Sequence, residues 1–353
     1  MTTEKLRELG SRTESVSREA CDAVMRHWDS IAKPIDGLGM FERIIARIGA
    51  IQRSEKVTVA KRTLLVFISD NGIVEEGVSQ CGQEVTHKVA EAMGSGCSTV
   101  CRMADIAEVT VHPVDIGMCG GRIEGIEDKR IRDGSRNFAK EPAMTMQETL
   151  DAIEAGYNAA LSLHETGTRI LLLGEMGIGN TSTATAVSCA LLNIMPDDVT
   201  GRGAGLSDDR AEHKCRVIGN ALRKYRPDPD DVMGILSTFG GYDIAAMIGA
   251  ILAGAICHMP VIADGLITLT AVLAAERLFP GTVNVCIASH NPREPLGKII
   301  LKELDLSAPI DADMALGEGT GAVLLMPLLD VCMNLYDEGL KFEGLKMDAY
   351  ERQ

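Results

Sequence analysis

Aromatic residues are scarce: Phe, Trp and Tyr make up 3% of the 353 residues, with a single Trp. The apolar fraction of 46% must therefore build its core from Ala, Ile, Leu, Val and Met. The length allows one large or two ordinary domains. Excess positive charge is lacking too. A formal net charge of −15 argues against nucleic acid or an anionic membrane as partner, since both are bound through basic surface. The opening Met1-Thr2-Thr3-Glu4-Lys5-Leu6-Arg7 has no apolar core and no cleavage site, so no signal peptide is expected and a cytoplasmic setting is. The cysteines show no framework spacing. Cys189, Cys257 and Cys286 stand inside apolar runs, which suits reduced thiols. Cys97 and Cys101, near His112, read as helix-packing residues rather than metal ligands. Internal repeats and low-complexity tracts are absent. One uncharged stretch, residues 244–263, reaches membrane-spanning length. It is rich in Ala and Gly and broken by His258 and Pro260, so a buried helix running into a central strand explains it better.

What the chain does contain is a regular alternation of patterns. Residues 1–60 read as amphipathic helices interrupted by a loop, Lys33-Pro34-Ile35-Asp36-Gly37-Leu38-Gly39. Strands are expected at 63–69, 108–115, 168–173, 259–263 and 282–288, and a helix at 84–103. Thr145-Met146-Gln147-Glu148 is a capping box for a helix to about residue 164. A second glycine loop, Thr200-Gly201-Arg202-Gly203-Ala204-Gly205-Leu206, precedes a helix that Ser207 should cap and that carries Lys214. Strands alternating with helices imply an α/β fold, a doubly wound parallel sheet with helices on both faces. Such sheets bind ligands at the carboxyl ends of their strands. Asp70, Asp115, Glu175, Asp264 and Ser289-His290 follow five of these strands, and their convergence on one edge marks a candidate active site.

The most informative stretch is Gly174-Glu175-Met176-Gly177-Ile178-Gly179-Asn180-Thr181-Ser182-Thr183. It reads as strand, glycine loop and helix start. Glycines allow close backbone approach, and a helix N-terminus attracts anions, so the loop is a candidate cradle for a phosphate monoester. It lacks the lysine of a Walker loop; the other reading is a tight turn without ligand. Glu318 sits between Gly317 and Gly319, where a carboxylate could meet a flat substrate as general base; the alternative is an ordinary first-turn helix glutamate. Lys214 either neutralises a phosphate or is a solvated helix lysine. Asp70, Asp115 and Asp264 could hold ribose hydroxyls or act as bases, or cap the loops that follow them. Gln83 could orient a planar ring or lie on the surface. Met176 either packs or faces a flat substrate, and His290 could be a base, a ligand or structural.

In this order the motifs make the chain recognisable. Lys33-Pro34 with Leu38-Gly39, Glu76-Gly77-Val78-Ser79 with Gln83-Glu84-Val85-Thr86, Pro142-Ala143-Met144-Thr145, the Gly174–Thr181 stretch, Thr200-Gly201-Arg202-Gly203, Gly240-Gly241-Tyr242-Asp243-Ile244-Ala245-Ala246-Met247 and Leu316-Gly317-Glu318-Gly319-Thr320-Gly321 together resemble the nicotinate-nucleotide–dimethylbenzimidazole phosphoribosyltransferases of cobamide synthesis. The resemblance implies transfer of the 5-phosphoribosyl group of nicotinate mononucleotide to an aromatic acceptor base, with no cofactor and no metal. It implies Glu318 as general base. It implies Glu175, Gly177, Gly179, Asn180, Thr181, Gly203 and Lys214 around the nucleotide and its phosphate, and Gln83, Asp70 and Met176 in the acceptor-base pocket. It also implies a Rossmann-like domain over residues 61–329, a small helical domain built from 1–60 and 330–353, and a homodimer. The chain departs from the pattern at Asn71, at Gly37 and over Asn291-Pro292-Arg293-Glu294-Pro295, residues expected near the acceptor pocket. Transfer to phenol or p-cresol, with this chain as half of a heterodimer, is therefore an alternative, as is a nucleotide-binding subunit without catalysis. A dinucleotide-dependent dehydrogenase fits less well, because Asp70-Asn71-Gly72 replaces the Gly-x-Gly-x-x-Gly expected after the first strand.

Overall fold

The computed structural model describes residues 1–352 except Asp198 and Ala204, so Ala204 of the second glycine loop lies outside the described residues. Three helices lead the chain: α1 (Thr3–Gly10), α2 (Arg18–Ser30) and α3 (Met40–Gln52). They are followed by β1 (Arg62–Ser69), α4 (Glu84–Gly94), α5 (Thr99–Ile106), β2 (Thr110–Gly117) and the short β3 (Glu127–Asp128). The long α6 (Met146–Glu165) leads into β4 (Ile170–Met176), α7 (Asn180–Leu192), α8 (Asp208–Tyr225), α9 (Val232–Phe239) and α10 (Tyr242–Ile256). The chain closes with β5 (Val261–Ala263), α11 (Leu266–Leu278), β6 (Cys286–Ala288), α12 (Pro295–Glu303) and α13 (Thr320–Glu338).

The strands pair in the order β3-β2-β1-β4-β5-β6, every pairing parallel. The chain winds outward from β1 on one side and from β4 on the other, so the switch point lies between these two central strands. β1 is buried at every residue, as expected of a run of β-branched and Leu residues with helices on both faces. This is the doubly wound α/β sheet that the alternating pattern implied.

Among the elements whose ranges differ from those expected, three do so for a visible local reason. The helix expected over 84–103 is two helices. Gly96 adopts φ +71, the chain stops and turns, and Ser98 caps a fresh helix at Cys101 N–H. β2 starts only at Thr110, because Glu108 adopts φ +51 and Val109 N–H still returns to the Ala104 carbonyl. The strand expected over 282–288 is reduced to β6. The Glu276 carboxylate accepts the N–H groups of Gly281 and Val283, and residues 282–285 coil into a short 3₁₀ turn instead. The capping box at Thr145 and Glu148 forms as expected. Ser207 stands at the start of α8 but makes no side-chain capping bond.

The two ends of the chain meet. Tyr336 packs its ring on His27 and Trp28, Ile31 bridges to Lys341, and Arg62 holds Asp330 with two bonds of 2.8 Å. The division expected between residues 329 and 330 falls inside the continuous α13, and the N-terminal helices share one apolar core with the sheet. On the other flank, α6 and α10 cross with backbones nearly touching. A Cβ on Gly156 would stand 1.8 Å from the Ala246 carbonyl oxygen, and one on Gly249 1.9 Å from that of Ile153. Gly249→Ala gains about 1 kcal/mol of helix propensity but forces two backbones apart, so a net loss of roughly 1–3 kcal/mol is expected in urea unfolding. An unchanged or higher midpoint would contradict this crossing.

Candidate active site

A cavity of about 220 Å³ opens at the carboxyl ends of β4, β5 and β6. Glu175, Met176 and Gly177 enter it from β4, Asn180 and Thr181 from α7, Asp264 from β5, His290 from β6, and Glu318 and Thr320 from the start of α13. Of the sequence candidates, Glu318, Glu175, Gly177, Asn180, Thr181, Gly203 and Met176 all line this space.

Glu318 is not a first-turn helix residue. It precedes α13 in a left-handed turn in which Gly317, Glu318 and Gly319 have φ of 87, 59 and 85°. A non-glycine residue in that region costs about 1–3 kcal/mol and persists only where its surroundings enforce it. The enforcing contacts are evident. The Thr320 hydroxyl and N–H both reach the Gly317 carbonyl, and Gly174 of β4 lies flush against the turn, where a Cβ would sit 2.7 Å from the Glu318 carbonyl oxygen. The side chain ends at the N-terminus of α5, where Oε2 accepts the Val100 N–H at 3.3 Å. Burial pushes the Glu318 carboxyl above the ordinary glutamate value. Val100 N–H and the Ser98 hydroxyl pull it back, and the charge of Asp264 raises it further.

Behind Glu318 lies a group of buried acids. Glu175 is raised well above the ordinary value, first by burial and then by the charges of Asp243, Asp264 and Glu318; the Asn180 side-chain amide donates to its Oε2. Asp243, at the start of α10, is buried and pushed up to about 7 by desolvation, and its Oδ2 has no partner among the described residues. Burial also raises Asp264, against the opposing pull of His290 and of backbone N–H groups at the start of α13.

The glycine loop forms another part of the cavity wall, joined to Glu175 through the Asn180 amide. Several of its N–H groups are already used: Ile178 donates to the Thr86 hydroxyl, Asn180 to the Gly177 carbonyl, and Ser182 and Thr183 to that of Gly179. Gly177 is required by a close approach, since a Cβ there would meet the Ser69 carbonyl oxygen at 2.0 Å. Gly179 adopts φ +97 against Val74 and Asn71, beside the cavity rather than in its wall. Lys214 is no solvated lysine. It is 1% exposed, its Nζ donates to Thr181 Oγ1 at 2.9 Å, and a Cβ on Gly203 would lie 3.5 Å from it. No carboxylate pairs with it among the described residues, and burial lowers it to about 8, with only the more distant charge of Glu294 opposing.

Gln83 and Asp70 do not line the cavity. Asp70 Oδ2 accepts Cys119 N–H at 2.8 Å at the end of β1, and Gln83 Nε2 reaches the Asn71 carbonyl at 3.4 Å. Asp115, expected at the same edge, is bound to Arg130 at 2.6 Å and caps Gly117 and Met118. The convergence therefore involves only the β4–β6 half of the sheet. Of the departing residues, Asn71 is buried beneath the glycine loop, where its Oδ1 accepts the Thr183 hydroxyl, and it is not part of the cavity wall; Pro292 and Glu294 are. Sequence reasoning missed Asp243 and the α5 N-terminus. The Gly94-Ser95-Gly96 breaker inside an apolar run was the available signal for the latter.

A family model described as "Phosphoribosyltransferase" matches residues 13–345. The nicotinate-nucleotide–dimethylbenzimidazole phosphoribosyltransferase of Acetivibrio thermocellus is 36% identical over 95% of this chain and 96% of its own length. That of Clostridium acetobutylicum is 35% identical over 93% and 94%. A solved structure of the corresponding enzyme from Thermus thermophilus superposes with a TM-score of 0.87 at 31% identity, covering 94% of this chain and 99% of that one. A parallel sheet with a glycine loop over a buried lysine, at these levels of likeness, defines the protein as a phosphoribosyltransferase. Within that class, the chain belongs to the nicotinate-nucleotide–dimethylbenzimidazole phosphoribosyltransferase family. No helix among the described residues is long and apolar enough to cross a membrane.

Lys214 makes a testable demand on stability. Its folded pKa of about 8 lies below that of an unfolded lysine, so the folded state binds fewer protons between these values and gains stability as pH rises through them. Below about 8 the folded chain carries the full cost of a buried charge. Lys214→Met should therefore stabilise the ligand-free protein at pH 7 by something of order 3 kcal/mol, with the gap shrinking above pH 8. Urea unfolding of both proteins across pH measures this; a gap independent of pH would contradict the burial of a charged lysine.

Proposed function

We propose that the cavity binds nicotinate mononucleotide with its 5′-phosphate at Thr181, Gly203 and Lys214, and transfers the 5-phosphoribosyl group to 5,6-dimethylbenzimidazole or a related lower-ligand base. The products are α-ribazole 5′-phosphate and nicotinate, in cobamide synthesis. The observation that carries this reading is a buried lysine, without a carboxylate partner among the described residues, behind Thr181 and Gly203 of the cavity wall, together with a half-buried carboxylate on a fixed turn in the same wall. A dianionic phosphate suits the first, and a ring losing a proton suits the second.

Neutral benzimidazole has one nitrogen with a lone pair and one N–H. The lone pair forms the bond to C1′ as the bond from C1′ to the pyridinium nitrogen breaks, its electrons returning to the nicotinate ring. The N–H proton passes to the Glu318 carboxylate. Attack from the α face inverts the β-nucleotide, so the two rings occupy opposite faces of the ribose. Raised proton affinity in Glu318, from burial and from Asp264, favours this transfer. Glu175, Asn180 and Gly177 surround the ribose in this reading, and Gly179 supports the loop. Met176 faces the acceptor ring, while Gln83 and Asp70 back the acceptor side from the end of β1. The scheme uses no cofactor and no metal.

The site also bears on assembly. None of residues 33–39 lines the cavity of their own chain. Their loop is nonetheless held firmly, by a 2.8 Å ion pair from Lys33 to the fully buried Glu42 and by Leu38 N–H on the same carboxylate. This fits a homodimer in which the helices and tail from the two termini act as a small helical unit and close the neighbour's site. Light scattering at assay concentration should find a dimer; a fully active monomer would rule the arrangement out.

The catalytic reading is tested on Glu318→Gln. The amide keeps size and a carbonyl but cannot take the proton, so kcat should fall by about 10²–10⁴-fold while the nucleotide dissociation constant stays nearly constant. Activity is assayed with nicotinate mononucleotide and a panel of benzimidazoles, purines and phenols, products being identified by mass. Near wild-type kcat with the best acceptor would remove Glu318 as the base.

A further inference from the structure

Asp264, immediately after β5, has two neighbours that matter. Its Oδ1 accepts Gly321 N–H at 2.7 Å and Ala322 N–H at 3.1 Å, the first-turn amides of α13. It also lines the cavity beside Glu318, at 4% exposure. Gly321 is what allows this reach, since a Cβ there would stand 2.8 Å from Asp264 Oδ1 and 2.1 Å from His290 Nδ1. His290 Nδ1 lies 3.9 Å from the same carboxylate oxygen and bonds Ser289 Oγ at 2.9 Å. The first turn of α13 is thus tied to the sheet through one buried carboxylate, directly after the left-handed turn that bears Glu318.

We infer that Asp264 is a positioning residue for Glu318: by binding the first turn of α13 it holds residues 317–319 in their left-handed turn and keeps the Glu318 carboxylate aimed into the cavity. The inference rests on reading Glu318 as the general base. Asp264 has a second effect. A negative charge beside Glu318 favours the protonated form of that carboxyl. The other groups facing Glu318 are Glu175 at the end of β4, His290 at the end of β6, and the uncharged Ser98 hydroxyl and Val100 N–H of α5; Lys214 and Glu294 lie on the glycine-loop side. Among these groups, Asp264 alone combines a charge near Glu318 with a bond to the helix that directly follows it.

The full-length protein is assayed as Asp264→Ala and Asp264→Asn with nicotinate mononucleotide and dimethylbenzimidazole. Asp264→Ala frees the turn, and kcat should fall by about 10²-fold with the nucleotide dissociation constant unchanged. Asp264→Asn keeps an oxygen for both amides and loses only the charge. It should stay within about tenfold of wild-type kcat. Its acidic limb of kcat, and the titration of the Glu318 carboxyl followed by carbon-13 NMR, should both move to lower pH. Should Asp264→Ala fail to fold, the two pH readings in Asp264→Asn decide the matter. Weakened nucleotide binding with kcat intact would make Asp264 a ribose contact and overturn the inference. A loss in Asp264→Asn as large as in Asp264→Ala, with no shift of either pH reading, would make Asp264 the reacting carboxylate and overturn it as well. If Glu318→Gln proves active, the base reading falls, and the Glu318 titration in Asp264→Asn still decides whether Asp264 governs that residue.

Discussion

The site depends on how closely the turn at residues 317–319 approaches β4. Gly174 gives up a side chain in the middle of a buried strand, and the Glu318 carbonyl and Gly319 N–H occupy the space, within 2.9 Å of where a Cβ would be. Gly319 in turn rests on Leu64 of β1. The strained turn is thereby set on the two central strands of the sheet. A carboxylate on a mobile loop would sample many directions; one wedged between β4 and α5 has few. The chain accepts a left-handed glutamate in exchange for that fixed aim.

The second organising constraint is electrostatic. Glu175, Asp264 and Glu318 line the cavity with Asp243 buried behind Glu175, and burial drives all four toward the neutral form. Lys214 sits behind Thr181 and Gly203, driven the opposite way by the same desolvation. Neither group is comfortable without ligand. An anion over Lys214 offsets the cost of its buried charge, and a ring N–H beside Glu318 meets a carboxyl already inclined to take a proton. The polarity of the cavity thus matches a molecule with a phosphate at one end and the reacting ring at the other, as the family's substrates require.

Much of this was legible in the sequence because it rests on local pattern. Apolar runs with β-branched residues marked the buried strands, the capping box marked α6, and alternation marked the parallel sheet. Glu318 between two glycines, and the glycine loop after β4, stood out because both need backbone that only glycine supplies. What was not legible depends on contacts between distant segments. Nothing local says that Asp70 and Asp115 would turn to Cys119 and Arg130 while Asp264 and Glu175 would face the cavity. Nor does it say that Asn71 would brace the glycine loop instead of facing an acceptor, or that Glu276 would coil the chain ahead of β6. Lys214 illustrates the limit well. A lysine in a charged helix reads equally as solvated or as a phosphate partner, and only the packing of α8 against α7 shows it buried.

The central claim is that one cavity holds phosphate over Lys214 and the reacting ring against Glu318. A crystal structure with α-ribazole 5′-phosphate bound tests it most directly. The account predicts phosphate oxygens within about 3 Å of Lys214 Nζ and Thr181 Oγ1, with the ring nitrogen not bonded to ribose within about 3 Å of the Glu318 carboxylate. A phosphate held elsewhere, or a benzimidazole ring turned away from Glu318, would contradict it.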